Sequence, residues 1–228
     1  VVDDFEDGEL TAYTGRTSDA SFVSSPSPTN GSLALELGDG WYNTYIESQS
    51  GLDNYIAKGD KFRANVRASG GNDLNFQFGV KDGNNYYSVR FRFEDDSVEL
   101  LTNTWGTIST IDEAAGVSLD HDAWYEVVGT WDDGSLGGGD NDLTIEVVDT
   151  NGSTVATMSG NNGDHADQTG IRLGGDIDGS NAINYYYDFI RIVSGSDSSD
   201  STDSSTPTPT PTPTPDMDDY GELGFGEG

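Results

Sequence analysis

Lys61-Phe62-Arg63-Ala64-Asn65-Val66-Arg67-Ala68 is followed by Leu74-Asn75-Phe76-Gln77-Phe78-Gly79-Val80-Lys81 and by Tyr86-Tyr87-Ser88-Val89-Arg90-Phe91-Arg92-Phe93. In all three stretches apolar and polar residues alternate. Phe62, Ala64 and Val66 alternate with Lys61, Arg63, Asn65 and Arg67, and Phe76, Phe78 and Val80 with Asn75, Gln77 and Lys81. A period of two places one set on each side of a strand, so each stretch predicts a strand with an apolar inner face.

The same pattern spreads outward from these three. It predicts further strands at Phe22–Ser25, Ser32–Leu37, Trp41–Glu47, Ser97–Thr102, Gly106–Ile111, Trp124–Trp131, Leu143–Val148, Thr154–Met158, Gly170–Leu173 and Ile183–Val193. The breaks are rich in Gly, Asn and Asp, such as Asp82-Gly83-Asn84-Asn85 and Asp149-Thr150-Asn151-Gly152. Many short strands joined by such turns predict an all-β, two-sheet antiparallel sandwich. A parallel fold would need crossover helices, and helical periodicity is almost absent.

The 228 residues hold 10 Lys+Arg against 41 Asp+Glu, a net charge of −31, with no cysteine. A field of this sign repels nucleic acid and anionic membrane alike. No stretch approaches the roughly 18 apolar residues of a spanning helix. Without cysteine there are no disulfides and no thiolate chemistry. Disordered acidic chains are poor in aromatics, whereas this one has 4 Trp, 11 Tyr and 9 Phe. An ordered, Asp-rich and Lys-poor surface resembles proteins of extreme halophiles, especially haloarchaea. Salt would screen its self-repulsion, to a Debye length of about 3 Å at 1 M.

Composition changes after Val193. Residues 194–215 form a Ser/Asp segment and then a strict Thr-Pro repeat, Thr206 to Pro215. Alternating proline cannot donate to a sheet, so a disordered or extended linker is expected. Residues 216–228, DMDDYGELGFGEG, are a short acidic peptide with Tyr220, Leu223 and Phe225. Residues 1–193 are expected to form one domain.

Three stretches in that domain carry a resemblance. Val2-Asp3-Asp4-Phe5-Glu6-Asp7-Gly8 looks like the first strand of jelly-roll carbohydrate-recognition domains. Trp124-Tyr125-Glu126-Val127-Val128-Gly129-Thr130-Trp131 resembles a strand of laminin-G-like and concanavalin A-like domains. Tyr186-Tyr187-Asp188-Phe189-Ile190-Arg191-Ile192 resembles their last strand. The resemblance implies a jelly-roll sandwich, often sugar-binding and often calcium-bound, in a group that also holds glycosidases and structural modules.

If consecutive strands neighbour one another, six cations share one outward face: Lys61, Arg63, Arg67, Lys81, Arg90 and Arg92. From Lys58 to Arg92 the chain carries +4, and the rest carries −35. Arg63, Arg67, Gln77, Tyr86, Arg90 and Arg92 are therefore candidate ligand residues. An Arg fork suits carboxylate or sulfate, so the ligand expected is a polysaccharide, possibly an acidic one. The plain alternative is that these cations only pair with neighbouring acids.

Aromatic candidates for stacking on sugar rings are Trp41, Tyr42, Trp105, Tyr185 and Tyr186. Trp105, between Thr104 and Gly106, is the one expected at the surface. The resemblance further implies a structural calcium shared by Asp4, Glu6 and Asp188, whose oxygens would staple the chain ends together. Other Asp/Asn/Gly clusters read as solvated loops.

Glu94-Asp95-Asp96-Ser97-Val98-Glu99 fits the E-x-D-x-x-E pattern of retaining glucanases on the same fold. That chemistry needs two carboxyls about 5 Å apart on one strand face. Here Asp95 follows the first Glu, and the segment reads as a turn. No catalytic residue is assigned, and His121 and His165 read as surface residues. Asn30-Gly31-Ser32 and Asn151-Gly152-Ser153 are glycosylation sequons. With no signal peptide visible at Val1, that residue is a mature N-terminus or a later edge.

The leading expectation is a non-catalytic, lectin-like module at the cell surface of a halophile or outside it. The alternatives are a subunit of a surface layer or filament that self-assembles through 206–228, and a glycoside hydrolase or lyase.

Overall fold

The computed structural model describes residues 3–38, 44–48, 56–71, 73–176 and 183–193. Its strands are β1 (Tyr13–Gly15), β2 (Ala20–Val23), β3 (Ala34–Leu37), β4 (Thr44–Ser48), β5 (Lys61–Ala68), β6 (Asp73–Asp82), β7 (Asn85–Arg92), β8 (Ser97–Thr104), β9 (Thr107–Ala115), β10 (Tyr125–Asp133), β11 (Asp140–Asp149), β12 (Thr154–Asn161), β13 (Gly170–Asp176) and β14 (Tyr185–Val193). One 3-10 turn, Thr17–Asp19, precedes β2. The first sheet runs β1-β4-β13-β6-β7-β8-β9 and the second β12-β11-β10-β5-β14-β3-β2. The all-β two-sheet antiparallel sandwich is therefore the observed fold.

The inner faces supply the core. Phe62 of the second sheet meets Phe76 and Phe78 of the first, with ring centroids 6.0 and 5.0 Å apart. Trp131 lies edge-on to Phe78 and Tyr87 at 5.8 and 5.3 Å. Gly129 stands opposite Phe62 in the ladder. A Cβ at Gly129 would overlap the Phe62 ring, so glycine is required by space rather than by its dihedrals.

Strand positions agree closely with the alternation, and β1 is the addition. Of the stretch Val2–Gly8, which resembles a first strand, the described residues 3–8 make a single bridge, between Asp3 and Ile190. Ser194 onward, with its expected linker and acidic peptide, lies outside the described residues, as do Trp41 and Tyr42. Among the described residues no helix is long and apolar enough to cross a membrane.

Candidate functional site

The six cations do not share one face. β5 belongs to the second sheet, whereas β6 and β7 belong to the first. The chain turns a corner at Gly70 and Gly71, both at positive φ, so the apolar sides of β5 and β6 pack against each other. Their polar sides then point away from each other, to opposite surfaces. Lys61, Arg63 and Arg67 belong to the second sheet's outer face, and Arg90 and Arg92 to the first sheet's, with Lys81 toward the end of β6.

On the first face the arginines are neutralised. Arg90 Nε donates to Glu99 at 2.6 Å, and Arg90 also lies 3.8 Å from Asp73. Arg92 pairs with Asp95 and lies 3.8 Å from both Asp73 and Glu99. Gln77 is buried and accepts from Arg172 Nη1 at 3.2 Å. Tyr86, mostly buried, lies beside Arg172 at 5.9 Å, and the Arg172 guanidinium stacks on Tyr45 at 3.7 Å. Sequence reading missed Arg172 because β13 is short and glycine-rich. The signal that could have exposed it is the alternation of Ile171, Arg172 and Leu173.

On the second face Arg63 donates from one nitrogen to both Glu126 oxygens at 3.0 and 2.8 Å. Arg67 bonds Asp122 at 2.8 Å and lies over the Tyr186 ring at 5.5 Å. Tyr185 is buried in the core, and Tyr186 is mostly buried beside Trp124, so neither presents a free stacking face.

Trp105 does. It is 77% exposed, and Ile108 beside it is 52% exposed. Trp105 and Gly106 form the two-residue loop between β8 and β9, both at positive φ (55° and 82°). The Trp105 amide donates to Asn85 Oδ1 at 3.1 Å and the Gly106 amide to Asn84 O at 3.1 Å, fixing the tip against the β6–β7 hairpin. Lys81 Nζ stands 5.3 Å from the Trp105 ring and makes no ion pair among the described residues.

Glu6 and Asp188 hold a loop, and Asp4 bonds within its own turn. Asp188 Oδ2 accepts from Thr29 N, Thr29 Oγ1 and Asn30 N at 2.8, 2.6 and 2.9 Å. Glu6 accepts from Ser32 N, Ser32 Oγ and Leu33 N at 2.7–2.8 Å. Asp4 accepts from Glu6 N at 3.3 Å. The segment Ser24–Leu33 is thereby tied over Trp124, whose Nε1 donates to Ser27 O at 3.0 Å. The Leu33 and Ser32 donors hold the Glu6 carboxyl below its ordinary range, and burial pushes that of Asp188 above it.

Among the described residues no group of three acids or histidines is placed to hold a metal. Asp4, Glu6 and Asp188 are thus not gathered into such a group; each accepts hydrogen bonds from the chain instead. Asp188 Oδ1 is buried and has no hydrogen bond among the described residues, so its lone pairs are open to a hard cation. Asn30 and Asn151 both lie exposed in turns.

Phe93–Asp96 form a turn, with Glu94 exposed in it and Glu99 on β8 against Arg90. The two glutamates thus do not lie side by side on one continuous strand. His121 is exposed, stacked on Phe93 at 4.6 Å. His165 corrects the surface expectation: it is buried, 3.1 Å from Thr102 Oγ1 and edge-on to Tyr87 at 4.8 Å. Burial lowers its pKa, so it sits neutral in the fold.

No protein-family model matches the chain, and no curated protein does. Among solved structures it is similar to a GH16 from the mixed linkage glucan PUL of Bacteroides ovatus, at 12% identity and TM-score 0.56, over 84% of this chain and 98% of that one. The marine PL-14 alginate lyase from Aplysia kurodai matches at 13% identity and TM-score 0.54, over 83% and 91%. The carbohydrate-binding module CBM66 from Bacillus subtilis matches at 13% and 0.48, over 79% and 94%. At such identities the likeness speaks for the fold alone, and a fold does not fix a function. The chain has the concanavalin A-like lectin/glucanase jelly-roll fold.

Proposed function

We propose that this chain is a non-catalytic carbohydrate-binding module that engages a polysaccharide through Trp105. The observation that carries the reading is Trp105 itself. A two-residue hairpin with both residues at positive φ favours Asn-Gly, because bulky side chains are strained there. The αL conformation costs an ordinary residue about 1–2 kcal/mol. Neither turn geometry nor core packing asks for an indole at this point, and an exposed outlier of this kind motivates a functional reading. A fixed, solvent-facing indole offers a flat apolar platform to a sugar ring. The adjacent Lys81 adds an attraction for a uronic or sulfated ring.

Trp105→Asn tests this because the two roles predict opposite outcomes. The variant relieves the backbone, so its stability to urea should rise, by about 0.5–1 kcal/mol. Binding to soluble polysaccharides, read by affinity electrophoresis, should disappear. Unchanged binding, or a loss of stability with no effect on retardation, sinks the proposal.

A further inference from the structure

Lys61, Arg63 and Arg191 lie together on the second sheet, on the side opposite the Arg90–Arg92 network. In the ladder Arg191 stands directly opposite Arg63, and Val193 opposite Lys61. Two like charges directly across a sheet repel. Among the described residues the one carboxylate ion-paired with any of the three is Glu126, and it takes one nitrogen of Arg63. Lys61 and Arg191 make no ion pair among the described residues. The Arg191 guanidinium rests 5.1 Å from the Phe189 ring, and its Nε is buried without a partner. In a chain of −31, three adjacent cations with a single ion pair among the described residues stand out.

The backbone is bent to make this arrangement. β14 shifts register against β5 between Asp188 and Arg191, and Phe189 in between has φ 46°. Without the extra residue, counting two on from the Asp188–Asn65 pair would put Ile190 opposite Arg63. The bulge returns Ile190 to the core, where it is fully buried, and turns Arg191 out beside Arg63. Bulges re-aim side chains in this way, and a Phe at positive φ is held only where its surroundings over-determine it.

We infer that Lys61, Arg63 and Arg191 form an oxyanion site for a sulfate ester or uronate carboxylate carried by a saccharide. Arg63 presents the rest of its fork, Arg191 a guanidinium held from behind by Phe189, and Lys61 a compact third charge. Guanidinium forks match the paired oxygens of both anions. The acid-rich remainder of the molecule limits the ligand to a short or locally presented anion, since a long polyanion meets repulsion beyond the patch. This site lies in a different sheet from the Trp105 hairpin, so it stands whether or not that platform binds sugar.

The experiment uses the full chain and three probes: a sulfated disaccharide, a uronate disaccharide, and an uncharged disaccharide. Binding is read by NMR from the side-chain Nε–H signals of the arginines. The sulfated or the uronate probe should move the Arg63 and Arg191 signals, and the difference between them identifies the anion. Arg63→Gln and Arg191→Gln should each weaken binding about tenfold or more, the size of a lost charge-assisted bond. Arg16→Gln removes the same charge elsewhere and should leave affinity unchanged. Arg191→Lys, which keeps charge but loses the fork, should fall between and covers the case of a misfolded glutamine variant. The inference is overturned if all three probes bind equally or not at all, or if Arg16→Gln weakens binding as much as Arg191→Gln. Self-association that depends on Arg191, with no saccharide binding, would mean that the patch takes an acidic protein surface, and overturns it equally.

Discussion

The outer faces of the two sheets both carry a cluster of arginines, yet they treat those charges in opposite ways. On the first, Arg90 and Arg92 sit among Asp73, Asp95 and Glu99, so acids outnumber bases. On the second, the one ion pair that Lys61, Arg63 and Arg191 make among the described residues is Arg63 with Glu126. An identical alternation of Arg with apolar residues can therefore end as a closed structural network or as an open attraction for anions. The strand next door decides which. β8 brings Glu99 opposite Arg90, while β14 brings Arg191 opposite Arg63.

The largest effect should come from breaking the closed network. The Glu99 side chain is 8% exposed and touches both arginines. Glu99→Gln leaves Arg90 with only the 3.8 Å approach of Asp73. A desolvated charge that loses its partner costs more than a surface pair gives, so unfolding in urea should show a loss of about 2–3 kcal/mol. A change below about 0.5 kcal/mol, the scale of exposed pairs, would make the two faces alike and end the contrast.

Sequence reading reached the fold because the alternation is strictly local. Phe62, Ala64 and Val66, like Phe76 and Phe78, announce their own inner faces with no knowledge of partners. It misplaced the basic face because sheet membership is not local. β5 and β6 follow each other in the chain, and the Gly70-Gly71 corner sends them into different sheets. Arg191 was hidden for a related reason: plain alternation from Asp188 points it inward, and only the bulge at Phe189 reverses it. Trp105 was legible, since an aromatic between Thr104 and Gly106 at a hairpin tip has no core to enter. His165 was not, because its loop looks polar until Tyr87 and Thr102 close around it.

The covered half of the second face gives a test of intermediate size. Ser24–Leu33 is tied down by Glu6 and Asp188, and the two carboxyls answer acid in opposite senses. The folded pKa of Glu6 lies below its ordinary value of 4.5, so its contribution is present above that value and is lost as pH falls through the depressed one. The folded pKa of Asp188 lies above 3.8, so protonation there comes earlier and favours the fold. The Trp124 indole N–H signal, which reports the bond to Ser27, should therefore hold steady through mild acid and move only below pH 4.5. Glu6→Gln should move it at neutral pH. A signal that shifts in step with Asp188, or ignores Glu6→Gln, would show that the loop is held elsewhere. Calcium bound at the open Asp188 Oδ1 should lower the pH at which Asp188 titrates, and an unchanged titration would show that it does not bind there.

The smallest effect sharpens the comparison most, because it is one of sign. A double-mutant cycle on Arg90 and Glu99 should give a favourable coupling, of about 1–2 kcal/mol for a partly buried charge-assisted bond. The cycle on Arg63 and Arg191 should give an unfavourable coupling, of about 0.3–0.5 kcal/mol for like charges across a half-exposed sheet. Salt separates this repulsion from a packing change. Around 1 M NaCl the Debye length falls to about 3 Å, so the Arg63–Arg191 coupling should shrink toward zero, and the more buried Arg90–Glu99 coupling should largely persist. A favourable Arg63–Arg191 coupling would mean that the pair is stacked and satisfied within the fold. The second face would then be as closed as the first, with no charge left over for an anion.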